Sequence, residues 1–215
     1  MTGTPHAPLW LVRHALPVVP TLAPDNTAPH PAPRPASAHC YGHTDWPAEA
    51  AHTAQAAARL ATALAQRPAG SSATVRCSTL QRCKQLAQCL KALKPDLNVI
   101  FDERLTEMHF GRWEGLAWDD IERHELDAWA TDFAHHQVGH SGESVHDLVQ
   151  RVALAARHAH GPDRTDDLWI THAGVIRAMH WLHLRQWSVD ADQLQAEHWP
   201  VQAPVYGEWS VLAPG

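Results

Sequence analysis

The order in which short apolar runs and longer helix-forming stretches alternate is what most constrains this chain. Leu9-Trp10-Leu11-Val12 is a continuous apolar run of the kind that a parallel sheet buries on both faces. Comparable short runs lie at 74–78, 97–101 and 168–171, and a last one spans 207–213. Between them fall segments that read as helices: 47–67, 80–94 (closed by Pro95), 116–133, and 174–185. Ser144 is placed to cap a further helix that carries Val145, Leu148 and Val152 on one face. Asp45 is the expected N-cap of the first helix, with Pro47 in its first turn. Strands separated by helices of ten or more residues need crossover connections. The expectation is therefore an α/β chain: a mostly parallel sheet with helices on both faces, forming a three-layer sandwich. The 215 residues suit a single domain over 1–215. One insertion interrupts it at about 17–38, where Pro17 to Pro35 holds seven prolines and neither helix nor central strand survives. This segment could form a flap or rim over a pocket, or an insertion without a role.

Composition narrows the class. Seventeen Lys and Arg against 23 Asp and Glu give a net charge of −6, without the basic stripe of a nucleic-acid binder. No stretch approaches the roughly 20 apolar residues of a membrane helix. The first residues lack a basic run ahead of an apolar segment, and Arg13 interrupts that segment, so no secretory signal is expected. Cys40, Cys77, Cys83 and Cys89 contain no C-x-x-C pair and read as free thiols, which points to the cytoplasm. The 18 histidines invite a metal-protein reading. Yet His135-His136, His158-x-His160 and His180-x-x-His183 match no H-E-x-x-H or Cys/His finger spacing, so no metal site is expected.

The chemistry gathers at strand ends. The first strand ends in Arg13-His14-Ala15, and the fourth ends in Thr171-His172-Ala173-Gly174. Ligands of open α/β sheets bind at this carboxyl edge. Ser78 to Arg82 lies at a third strand-to-helix junction. Arg82 there falls in a first turn, an odd place for a cation, and reads either as an ordinary surface Arg or as a cation that shares a bound anion with the helix N-terminus. Arg13 supplies a second forked guanidinium suited to phosphate. The stretch 105–115, LTEMHFGRWEG, crowds Glu107 and Glu114 among aromatics, which offers a candidate general acid. Trp113 and Trp118, beside it, could line a substrate pocket or pack in the core.

LWLVRHALP, CSTLQRC, LTEMHFGRWEG, SGES and THAGVIR stand in the order and spacing of the histidine phosphatase superfamily, whose fold is phosphoglycerate-mutase-like. The resemblance covers Leu9 to about Arg177. His14 to Pro17, Cys40-Tyr-Gly-His-Thr-Asp45 and FGRWEGLAWDDIE further resemble the α-ribazole phosphatases of cobalamin biosynthesis. The resemblance implies a phosphomonoesterase that needs no metal or other cofactor and acts as monomer or homodimer on α-ribazole 5′-phosphate or a similar small phosphate. His14 would attack phosphorus and become phosphohistidine. Arg13, Arg82 and His172 would hold the phosphoryl oxygens, and Glu107 would serve as acid and then base. Ala173, Thr44 and Trp113 would add substrate contacts. The nucleophile must present an unprotonated ring nitrogen, so its other N–H needs an acceptor, which the sequence does not reveal. Leu16 stands where a Glu is common, which weighs against the alternative of a phosphoglycerate mutase. Ala15 replaces a usual Gly, His109 a usual Asp, Ser141 a usual Gly and Leu86 a usual Thr. A third alternative, a binding module without catalysis, conflicts with the retention of all five reactive groups.

Overall fold

The structure is a computed structural model and describes residues 8–20, 35–66, 73–159, 166 and 168–213. Among the described residues five strands form one sheet: β1 (Leu9–Arg13), β2 (Thr74–Cys77), β3 (Asn98–Phe101), β4 (Leu168–Thr171) and β5 (Trp209–Leu212), in the order β3-β2-β4-β1-β5. Every neighbouring pair is parallel except β1 and β5. The five α-helices of the described residues are α1 (Ala50–Ala65), α2 (Gln81–Leu93), α3 (Arg123–Thr131), α4 (Val145–Ala156) and α5 (Ala173–Leu184). Short 3₁₀ turns fill the connections.

Because side chains alternate across a strand, the sheet feeds two separate cores. Leu9, Leu11, Trp169 and Leu212 join α4 and α5 on one face, through Val145, Leu148, Val152, Val175, Ile176 and Met179. Val12, Val75, Cys77, Leu168 and Ile170 join α1 and α2 on the other, through Ala57, Leu60, Cys83, Leu86 and Leu90. The expected single α/β domain with helices on both faces is thus what the chain forms. Ser144 caps α4 as expected: its hydroxyl accepts from the Asp147 N–H at 3.1 Å, and the Asp147 carboxylate accepts in return from the Ser144 N–H at 3.3 Å.

Two expectations need correction. The helix expected from Pro47 begins three residues later, because 47–49 is drawn into extended pairing with 16–18. Pro17 bridges Ala48, the Val18 N–H donates to the Pro47 carbonyl, and the Glu49 N–H donates to Leu16. Asp45 consequently caps a different helix, accepting from the first N–H of α2, at Gln81, at 2.7 Å. The helix expected over 116–133 is broken into a 3₁₀ turn at Trp118–Asp120 and α3. Ile121 and Glu122 are extended between them, and Ile121 turns into the core. No glycine or proline marks that break, since tertiary packing of Ile121 causes it. Most of the proline-rich insertion, 21–34, lies outside the described residues.

Candidate active site

The carboxyl ends of β1, β2 and β4 are laced together before any side chain is considered. The His14 N–H donates to the Thr171 carbonyl at 3.0 Å, and the Ser78 N–H donates to Ile170 at 2.9 Å. This brings His14 and His172 to a ring separation of 5.0 Å, both buried. His14 Nδ1 lies 2.7 Å from the carbonyl oxygen of Ala15. A carbonyl can only accept, so Nδ1 carries the hydrogen and Nε2 keeps its lone pair. Burial holds His14 well below the usual imidazole range, and the Arg82 and Arg13 charges push the same way against the Ala15 bond.

His172 is the N-cap residue of α5. Arg82 Nε donates to its Nδ1 at 3.3 Å, which leaves Nε2–H to donate to the Ser78 hydroxyl at 2.8 Å. Its pKa too is lowered, first by burial and then by Arg82 and His14. Arg82 is fully buried, and its two terminal nitrogens donate to the carbonyls of Thr44 at 2.8 Å and Gly42 at 2.6 Å. Arg13 donates to the Pro204 carbonyl at 3.1 Å and lies 4.0 Å from the Tyr206 ring centre, and its buried Nε has no partner among the described residues. Among the described residues neither guanidinium meets a carboxylate. Glu107 accepts from the Met108 N–H and from the Gly174 N–H, each at 3.0 Å, one on each oxygen. A Cβ on Gly174 would fall 2.2 Å from that carboxylate, so a larger residue there would push the Glu107 side chain off its position. Two neutral imidazoles, two unpaired cations and one carboxylate therefore share the strand ends, an arrangement suited to a tetrahedral anion.

The sequence matches the histidine phosphatase superfamily (branch 1) over residues 9–198. The chain belongs to that superfamily. This histidine phosphatase is similar in structure to the α-ribazole phosphatase of Shigella flexneri, at 25% identity and a TM-score of 0.67, covering 95% of this chain and 89% of that one. A putative α-ribazole-5′-phosphate phosphatase of Escherichia coli K-12 gives 25% identity, a TM-score of 0.66 and the same coverage. A mycobacterial glucosyl-3-phosphoglycerate phosphatase gives 24% identity and a TM-score of 0.67, covering 97% of this chain and 90% of that one. No curated protein matches the sequence.

The remaining expected contacts of the phosphatase divide. Ala173, first residue of α5, has an N–H without an acceptor among the described residues and stands beside His172. The Thr44 hydroxyl is already committed to Glu114 at 2.5 Å, and the Thr44 carbonyl to Arg82, so its part in the site is to build it. Trp113 is 2% exposed in the core, where its indole N–H donates to Glu125 at 2.6 Å. Of its two readings the core one holds, and a substrate contact from that ring does not. Trp118 packs edge-on against Phe110. His109, in place of the usual Asp, sits 4.8 Å from the ring of His43. Of the histidines weighed as ligands, His135 packs on His146, His180 bonds Ser210, and His160 lies outside the described residues.

Sequence reasoning missed two tyrosines. Tyr41 and Tyr206 share a 2.7 Å hydroxyl contact, and their rings lie 6.5 and 5.5 Å from that of His14. Tyr41 stands in the motif already singled out, but Tyr206 comes from 165 residues further on and left no local signal. Cys83 lies 3.5 Å from His172 Nε2, yet burial pushes its thiol up to about 12, so it is no thiolate nucleophile at neutral pH.

Proposed function

We propose that this phosphatase hydrolyses small phosphate monoesters through a phosphohistidine on His14, without a metal, and that α-ribazole 5′-phosphate or a compound of similar size is its substrate. The observation that carries the reading is the Ala15 carbonyl on His14 Nδ1, which leaves an unprotonated Nε2 in the field of the Arg82 and Arg13 guanidinium groups, neither of which meets a carboxylate among the described residues. Nε2 attacks phosphorus in line with the ester oxygen. The P–N bond forms as the P–O bond breaks, and Glu107, which enters this step as the protonated acid, delivers its proton to the departing alkoxide and is left as the carboxylate. A water then attacks phosphorus while the Glu107 carboxylate takes its proton. The P–N bond breaks and neutral His14 is restored with inorganic phosphate. Arg13, Arg82 and the Ala173 N–H, which has no acceptor among the described residues, offset charge on the equatorial oxygens, which is the main requirement of phosphoryl transfer. His172, its Nε2–H held by Ser78, keeps Arg82 in line through Nδ1. The likeness to α-ribazole phosphatases at 25% identity supports the substrate.

A panel of phosphomonoesters assayed with a chelator present tests the proposal. It should include α-ribazole 5′-phosphate, glucosyl-3-phosphoglycerate, 3-phosphoglycerate and p-nitrophenyl phosphate. The expected result is release of phosphate, with the highest kcat/KM for α-ribazole 5′-phosphate and no loss on chelation. Isomerisation of 3-phosphoglycerate without phosphate release would favour the mutase alternative.

A further inference from the structure

Arg82 is positioned by carbonyls of a segment, 41–47, that has no regular secondary structure. Such a segment can aim a cation only as firmly as it is itself held. Glu114 holds it. The Glu114 carboxylate accepts the N–H groups of Gly42, His43 and Thr44, each at 2.9 Å, together with the Phe110 N–H at 3.0 Å and the Thr44 hydroxyl. Three consecutive amides thus converge on one side chain, as they would on a bound anion. Backbone bonds between Cys40 and Leu116 and between Gly115 and Cys40, at 2.8 and 2.7 Å, clamp the two segments together. At Gly42 a Cβ would overlap the Met108 carbonyl at 1.7 Å, which shows how closely they approach.

One peptide group connects the two charges. The carbonyl of Gly42 and the N–H of His43 belong to the same peptide, which is trans, so they point in opposite directions. The N–H donates to Glu114 and the carbonyl accepts from Arg82 at 2.6 Å. A negative charge on one side and a positive charge on the other polarise that peptide in the same sense. Burial would raise the Glu114 pKa, but the bonds from Phe110, Thr44, Gly42 and His43 outweigh it and hold the carboxyl below its usual range. Glu114 is therefore ionised at neutral pH.

We propose that Glu114 is a positioning residue for phosphoryl transfer, the counter-charge that Arg82 meets through a peptide rather than directly. A carboxylate set directly on Arg82 would occupy the N–H groups a phosphoryl oxygen needs. Set one peptide away, it stabilises a buried cation, fixes its direction and leaves its remaining donors free. This rests on the assignment of Arg82 to the phosphoryl group.

A double-mutant cycle on p-nitrophenyl phosphate hydrolysis tests it. Arg82→Ala should cost about 10²–10³-fold in kcat/KM. Glu114→Gln keeps the shape but turns an acceptor into a donor, and should cost on the order of 10²-fold, as a misaimed group does. In the Arg82→Ala background Glu114→Gln should cost only a few-fold, because nothing is left to aim. Thr44→Val, which removes one donor and leaves the charge, should show a smaller loss with the same dependence on Arg82. It decides the matter if Glu114→Gln does not fold. Equal fold-losses with and without Arg82 would mean a merely structural role and overturn the proposal. Wild-type activity in Arg82→Ala would instead overturn the assignment of Arg82, and this proposal with it.

Discussion

His14 meets two demands that oppose each other elsewhere in a protein. Burial removes its basicity, and the bond from Nδ1 to the Ala15 carbonyl preserves the lone pair on Nε2. Glu107 is fixed just as locally, by the N–H groups of Met108 and Gly174. In the proposed mechanism it serves the leaving group, so its loss should matter in proportion to how poor that group is. Glu107→Gln should lower kcat/KM for an alkyl phosphate by about 10²–10⁴-fold and for p-nitrophenyl phosphate by much less. Steady-state kinetics on the two esters check this, and equal losses would contradict the acid role.

Elements were legible wherever pattern and packing agree. The apolar runs at 9–12 and 168–171 became β1 and β4, and Ser144 caps α4 as read, with Asp147 returning the bond. The candidate site residues His14, Arg82 and His172 lie together at the strand ends, because a residue just past a parallel strand has its position set by the strand. What could not be read lies in contacts made by backbone or by distant chain. The acceptor on His14 is a carbonyl, which every residue has. Tyr206 reaches the site only because β5 folds back beside β1. Asp45 had two helices to cap, and pairing of 47–49 with 16–18 decided between them. Trp113 shows the limit of proximity in sequence: six residues from Glu107, it points into the core.

The whole molecule concentrates two neutral histidines where three strand ends meet, beside two guanidinium groups that meet no carboxylate among the described residues, and this has a cost in stability that pH reveals. In the unfolded chain both histidines titrate near 6.5, whereas in the fold both lie well below that. As pH falls through 6.5 the unfolded chain takes up protons that the folded chain excludes. Stability should therefore drop between pH 7 and 5, with a slope approaching about 1.4 kcal/mol per pH unit for each histidine. Urea unfolding at stepped pH should show this slope reduced in His172→Gln, and an unchanged slope would contradict the burial of a neutral imidazole there. The central claim is that this assembly serves one nucleophile, and trapping its covalent state tests that most directly. Wild-type enzyme mixed with phosphorus-labelled substrate and quenched in alkali should carry acid-labile, base-stable label on His14, and His14→Ala should carry none. Turnover without label on His14, or label retained in His14→Ala, would contradict the account.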